Sequence, residues 1–354
     1  MTLNEFFIRS DIEEILQRIQ TIGQDISNKT IVITGARGFL GRYLIEIFKQ
    51  MNDKQLNSPV KVFAVDNLIT AGKLAQQSID DSNIKFIEHD VTKPFSLNEE
   101  IHYIIHAAGI ASPQNYQKYP LETLEVAING TKNMLQLAKQ KNARFTFFSS
   151  SEIYGDPDPQ NIPTKEEYRG NVSSLGPRAC YDESKRVGET LCYIFSEHFG
   201  VRTNIIRPFN FYGPGMQEKD YRVLPNFASR IKSKKPLKIY GRGDQTRTFC
   251  YITDALTGLL QVILRGKPNE IYNIGNPNPE ISVVQLADMI TKVLDYKIPY
   301  EIIGYPDEYP ANEPNRRCPD IQKARVHLGY EPRVSLEDGL KRFLSWTDMN
   351  YIGE

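Results

Sequence analysis

The chain is short of what would mark a secreted, membrane-bound or polyanion-binding protein. Only four of its 354 residues are cysteine, at positions 180, 192, 250 and 318, and no two stand close together. A zinc site or a redox dithiol needs close pairs, so no metal is expected and the thiols read as reduced. Net charge is also missing: 43 basic residues meet 43 acidic ones, which favours neither a nucleic acid nor an anionic membrane surface as partner. No apolar run reaches 18 residues, and Glu5, Arg9, Asp11, Glu13 and Glu14 stand where a signal peptide needs an apolar core. The expectation is a cytoplasmic protein, neither exported nor membrane-spanning. Internal repeats and low-complexity tracts are absent as well.

What is present is a regular alternation. Ile8, Ile12, Ile15, Ile19 and Ile22 recur at helical spacing, with Ser10 and Glu13 placed as a capping box, so residues 1–28 read as an amphipathic helical extension packed on the main body. From residue 30, β-branched and aromatic runs at 30–34, 60–66, 84–88, 103–106, 145–149 and 203–207 are separated by helical stretches. Strands interleaved with helices imply a parallel sheet covered on both faces, and such a doubly wound α/β fold of Rossmann type binds its ligand at the carboxyl ends of the strands. After about residue 208 the alternation fades into loops rich in Pro, Gly and aromatics. The reading is therefore a nucleotide-binding domain at 29–208, rejoined by 247–272, and a smaller C-terminal α/β substrate lobe at 209–246 and 273–354.

Gly35, Gly38 and Gly41 follow the first strand in the run Thr-Gly-Ala-Arg-Gly-Phe-Leu-Gly, with Arg37, Phe39 and Leu40 between them. Glycine at this spacing permits a tight turn and lets backbone approach a pyrophosphate at a helix N-terminus. The second strand ends in Asp66, followed by Asn67. A carboxylate there accepts hydrogen bonds from both ribose hydroxyls and repels a 2′-phosphate, so the expected cofactor is NAD; Arg37 is the counter-signal, because a guanidinium pairs with that phosphate. Asp90 and Val91 after the third strand fit an adenine contact, and Ala107 and Ala108 after the fourth let backbone lie close to the cofactor.

Tyr181 and Lys185 lie four residues apart in a helical segment, on one face. An adjacent ammonium and a positive nicotinamide ring both favour the phenolate, which makes the tyrosine a usable base. Ser149, Ser150 and Ser151 end an upstream strand, where a hydroxyl orients a substrate hydroxyl toward that base.

Glycine loop, serine and YxxxK together resemble the extended short-chain dehydrogenase/reductase family of nucleotide-sugar epimerases, dehydratases and decarboxylases, over roughly residues 29–345. The segments His-Ala-Ala-Gly-Ile-Ala-Ser-Pro113, with Ser112 on the substrate side, Ser-Glu-Ile-Tyr-Gly-Asp-Pro157 and Gly-Pro-Arg-Ala-Cys-Tyr-Asp-Glu-Ser-Lys-Arg186 are similar to those of the UDP-glucuronate decarboxylases. The resemblance implies that Tyr181 takes the 4-hydroxyl proton while C4 is oxidised by NAD. Where 4,6-dehydratases carry Thr, Asp and Glu, this chain carries Ser150, Ser151 and Glu152, and serine has no acidic proton for a departing 6-hydroxyl. It further implies that Glu152 acts near C5, that Arg317 positions the sugar carboxylate, and that Pro208 lies beside the nicotinamide amide. Asn210 and Arg247 would contact the diphosphate, Tyr240 the base, and Val223 and Leu224 the uracil; Arg316 is a neighbour easily confused with Arg317. Implied partners are a UDP-sugar and a second copy of the chain, joined through helices around 120–140 and 181–199. Departures are Gly215 where decarboxylases have arginine, Arg169 near a usual tryptophan, and Ala127 near a usual asparagine. A 4-epimerase or 4,6-dehydratase is the alternative function, and a non-catalytic NAD-binding protein a further one.

Overall fold

The computed structural model describes residues 6–71, 81–220, 222–305 and 314–353. Helix α1 (Arg9–Gly23) leads into β1 (Thr30–Thr34), α2 (Phe39–Lys54), β2 (Lys61–Asp66), β3 (Ile84–Glu88) and β4 (Tyr103–His106). Helices α3 (Pro113–Lys118), α4 (Pro120–Glu125) and α5 (Thr131–Lys141) precede β5 (Arg144–Phe148), and α6 (Ala179–Phe199) precedes β6 (Thr203–Pro208). Shorter pieces follow: β7 (Phe211–Tyr212), α7 (Val223–Lys232), β8 (Leu237–Tyr240), β9 (Thr246–Arg247), β10 (Cys250–Tyr251), α8 (Ile252–Arg265), β11 (Glu270–Ile274) and β12 (Ile281–Ser282). The chain ends with α9 (Val283–Leu294), β13 (Tyr300–Ile303), β14 (Arg316–Arg317), α10 (Gln322–Leu328) and α11 (Leu336–Asn350).

Seven parallel strands form the main sheet in the order β3-β2-β1-β4-β5-β6-β11. Every residue of β1 is buried, which explains why the run Thr-Ile-Val-Ile-Thr is apolar without alternation. Ile31 and Ile33 pack into a core with α1, α2 and α8, while Val32 faces the opposite core with Leu135 of α5 and Cys192 of α6. The strand order reverses between β1 and β4, so the crevice for a ligand opens at their carboxyl ends.

Helix α1 lies against α8 through Ile12, Ile15, Leu16 and Ile19. Ile15 and Ile19 are fully buried, each contributing about 2 kcal/mol of apolar transfer. Its start differs from the expected capping box: the helix begins at Arg9 with Ile8 at the N-cap and no side-chain cap, and Glu13 pairs instead with Arg9 at 3.1 Å. The apolar anchors Phe6 and Ile8, both packed on the core, set the entry of the chain ahead of any polar cap.

In the C-terminal half, β9 lies between antiparallel β12 and parallel β14, and β8 pairs with β13. The β9–β14 register places Arg317 beside Arg247, from segments 70 positions apart. Among the described residues no helix is long and apolar enough to cross a membrane.

Candidate active site

Two depressions share one wall. The first is a groove of about 790 Å³ along the ends of β1, β2, β3 and β4, lined by Gly35, Gly38, Asp66, Asn67, Asp90, Val91, Ala107 and Ala108. Gly35 adopts φ +70°, and a Cβ there would lie 2.7 Å from the backbone of Ala107 and Ala108. A Cβ on Gly41 would stand 2.2 Å from the Gly35 carbonyl oxygen. These contacts press the loop against the sheet and leave α2 to open at Gly38, which lines the groove. Arg37, Phe39, Leu40 and Gly41 support the loop rather than line the groove.

Asp66 accepts hydrogen bonds from the N–H groups of Arg37 (2.8 Å) and Leu68 (2.7 Å), which fixes its carboxylate at the groove wall. Burial raises its pKa, opposed by those donors and by the Arg37 charge. The Arg37 guanidinium lies 4.5 Å from the centroid of the Phe86 ring, on β3. Beneath the groove His106 bonds Thr34 at 2.7 Å and Thr131 at 3.1 Å, tying β1, β4 and α5 together. Burial and the nearby Lys185 hold that imidazole down at about 3, so it serves as a neutral tie. A carboxylate at the end of the second strand and a glycine cradle that any Cβ would fill suit a dinucleotide diphosphate and its ribose.

The second depression is a cleft of about 1140 Å³ between the sheet and the C-terminal lobe. Gly109 and Ile110 face the groove while Ala111 and Pro113 face the cleft, so the segment after β4 is the common wall. The structure brings Glu152, Tyr181, Asn210, Val223, Leu224, Tyr240, Arg247 and Arg317 into the cleft lining. Ser112, Ser150, Ser151, Lys185 and Pro208 are not part of that lining.

Tyr181, in the first turn of α6, stacks on Tyr116 with ring centroids 5.3 Å apart. Burial pushes its phenol up to about 12, while a hydrogen bond with the Ser150 side chain pulls it down. Lys185 donates to the Phe148 carbonyl at 2.9 Å, 5.7 Å from the Tyr181 ring centroid. Burial holds its ammonium down at about 8, against the pull of Glu189. In the protein alone the tyrosine is therefore a neutral phenol, and lowering its pKa requires added positive charge.

Glu152 is the second residue of a short 3-10 turn (Ser151–Tyr154) capped by Ser150, whose hydroxyl accepts the Glu152 N–H at 3.2 Å. Its carboxylate takes both arms of Arg317, one bond measuring 2.8 Å, and a further bond from Arg178. Burial alone would raise the Glu152 pKa; the Arg317 and Arg178 charges overcome it and hold the carboxyl below its ordinary value. Arg316 turns the other way, onto Glu280 through two bonds of 2.8 Å, and does not line the cleft. Asn210, with φ +46°, donates its side-chain amide to the Thr248 carbonyl at 2.7 Å, anchoring the segment that carries Arg247.

Sequence reasoning did not single out Arg178, Arg222 or Tyr116, which also line the cleft. Arg178 stands in the quoted Gly-Pro-Arg segment three residues before Tyr181, and that spacing was the available signal. Tyr116 and Arg222 carry no local pattern that sets them apart.

The family described as NAD dependent epimerase/dehydratase matches residues 31–275. The chain is 40% identical over 319 residues to UDP-glucuronic acid decarboxylase 1 of Xenopus tropicalis, covering 90% of this chain and 72% of that one. Among solved structures it is similar to an epimerase from Methanothermobacter thermautotrophicus, with 26% identity, a TM-score of 0.79 and coverage of 95% and 97%. It is also similar to UDP-glucuronic acid 4-epimerase from Bacillus cereus in complex with UDP-glucuronic acid and NAD, with 26% identity, a TM-score of 0.75 and coverage of 91% and 100%.

Proposed function

The chain belongs to the NAD dependent epimerase/dehydratase family, and from that premise we propose that it decarboxylates UDP-glucuronate to UDP-xylose. The observation that carries this reading is the Glu152–Arg317 pair in the same cleft as Tyr181: Arg317 presents a two-armed fork, held by Glu152 in the protein alone, of the kind that takes a sugar carboxylate beside the group that acts at C4. Ser151, where a dehydratase needs an acid, supports decarboxylation over loss of water.

Gly35, Gly38, Asp66, Asn67, Asp90, Val91, Ala107 and Ala108 would hold NAD, and the Asp66 carboxylate favours it over NADP. When bound, NAD supplies a positive ring beside the phenol and a reversible store for the hydrogen and electron pair of C4. Tyr181 accepts the 4-hydroxyl proton, and Lys185, held against the Phe148 carbonyl, supplies the fixed positive charge beside it. Oxidised at C4, the sugar is a β-keto acid. Its carboxylate leaves as CO2 and the bonding pair passes into an enolate, whose oxygen is stabilised by the Tyr181 and Ser150 hydroxyls. C5 then needs a proton. Glu152, kept ionised by two arginines, has none to give, so it orients the water that delivers one. Return of hydrogen to C4, with Tyr181 giving back its proton, completes UDP-xylose with no net redox change. Arg247 and Asn210 take the diphosphate, Tyr240, Val223 and Leu224 the uracil end, and Ser112 and Pro208 flank the reacting ring from the wall beyond the cleft.

Purified protein supplied with NAD and UDP-glucuronate should release CO2 and a UDP-pentose in equal amounts. A product of unchanged mass would replace this reading with 4-epimerisation, which the likeness to the Bacillus cereus epimerase favours as the second possibility. Loss of water would indicate a dehydratase, and no product despite NAD binding would indicate a non-catalytic module.

The same reading includes a homodimer. Leu121 on α4, Ile128 just before α5, and Tyr193 and Phe199 on α6 are exposed large apolar side chains on neighbouring helical segments, of the kind a twofold partner covers. Light scattering should give twice the chain mass. Leu135 and Leu137, by contrast, are core. The cytoplasmic setting is supported by four free cysteines and is checked by cell fractionation.

A further inference from the structure

Glu152 makes more ionic contacts than one arginine provides. Its Oε1 accepts from Arg317 Nη1, and its Oε2 is shared between Arg317 Nη2 at 2.8 Å and Arg178 Nη2. Arg317 is nearly fully buried and its Nε has no hydrogen-bond partner among the described residues. The fork to which a sugar carboxylate would bind is thus already held by a protein carboxylate. Two anions cannot both occupy one buried fork, because like charges at contact distance cost several kcal/mol in a sheltered site.

Arg178 offers the way out. It is the residue before α6, three positions ahead of Tyr181, and its Nε stands 3.8 Å from Asp182 Oδ2 one turn along the same helix. Asp182 is buried, and its other oxygen has no hydrogen-bond partner among the described residues. Burial and the Glu152 charge push the Asp182 carboxyl up, while Arg178 and Arg317 pull it down. The four groups form one charge cluster spanning the 3-10 turn, α6 and β14. Arg317 lies on the side of Arg247, where the diphosphate is expected, and Arg178 on the side of the tyrosine.

We propose that Arg178 is the positioning residue that frees Arg317 for a substrate carboxylate: Glu152 moves onto Arg178 alone when a sugar acid takes the Arg317 fork. Asp182 holds the Arg178 guanidinium from the helix side during that exchange. The inference rests on the reading that the substrate carries a carboxylate on its sugar. Neutral UDP-sugars need no exchange, so Arg178 sets preference between acidic and neutral sugars without touching the acid group itself.

A binding cycle with the NAD-loaded protein tests this, with UDP-glucuronate and UDP-glucose as probes. Arg178→Met should weaken UDP-glucuronate by about tenfold or more and leave UDP-glucose within about twofold. In a Glu152→Gln background the same Arg178→Met change should have no effect on UDP-glucuronate, since no protein anion then competes for Arg317. Arg178→Lys should restore part of the loss, and it reads the same cycle if the methionine variant does not fold. Equal weakening of both sugars, or an Arg178 effect that persists in the Glu152→Gln background, would overturn the proposal. If the parent protein binds UDP-glucuronate but releases no CO2, the decarboxylase reading falls while the cycle still decides the role of Arg178.

Discussion

The groove proposed for the cofactor and the cleft proposed for the sugar are built by opposite means. The groove comes from one continuous stretch, residues 35–126, where Gly35 lets the loop backbone close onto Ala107 and Ala108 and the Asp66 carboxylate is fixed by neighbouring N–H groups. The cleft is gathered from segments scattered between residues 111 and 317, and its polar side is a charge cluster, Arg178, Arg247 and Arg317 acting on Glu152. Shape decides binding in the first and charge balance in the second, so substitutions in the two should fail in different ways.

Tyr181→Phe is the largest expected effect: a fall in kcat of about a thousandfold or more, with NAD affinity unchanged by equilibrium titration. It separates chemistry from both binding regions, and near-normal turnover would remove the proposed base. Gly35→Ala comes next. The left-handed φ and the clash with the Ala107 backbone should weaken NAD by about a hundredfold and lower Tm, while UDP binding changes little. Equal damage to UDP affinity would mean that groove and cleft are not separable. Arg247→Ala should do the converse, weakening UDP by roughly tenfold with NAD unaffected.

The pH profile sharpens the same contrast on the catalytic side. The Lys185 pKa is depressed, so its charge is complete below about 8 and is lost as pH rises through that value. kcat/KM should therefore decline above about pH 8, and Lys185→Arg should move that decline upward. The sign for stability is the reverse: burying the charged ammonium costs the fold most below about pH 8, and the cost fades as Lys185 deprotonates. Smallest of all is Arg316→Ala, where activity should stay within about twofold because its partner is the outward Glu280. A large loss there would mean that the arginine acting in the cleft has been misassigned.

The unequal legibility of the two regions follows from the same difference. Six of the seven sheet strands were readable as short β-branched and aromatic runs, and the runs at 30–34, 84–88 and 103–106 match β1, β3 and β4 residue for residue, whether buried throughout as in β1 or partly exposed at the sheet edge as in β3; β11 was not read as a strand. The glycine loop and Asp66 stand in a local order that sequence displays directly. Glu152 and Arg317 are 165 positions apart and meet only because β14 pairs with β9, a two-residue ladder with no periodicity of its own. Family resemblance pointed to Arg317, whereas the contact of Arg178 with Glu152 needed the fold. The misread capping box has a related cause: Ser10 and Glu13 have suitable spacing, but the apolar grip of Phe6 and Ile8 starts the helix at Arg9.

In the proposed reaction hydrogen leaves C4 of the sugar and comes back to it around the loss of CO2. UDP-glucuronate carrying deuterium at C4, turned over with unlabelled NAD in ordinary water, should give a UDP-pentose that keeps the deuterium at C4. A pentose whose C4 carries hydrogen from solvent, or CO2 release with a lasting build-up of reduced nicotinamide, would contradict it.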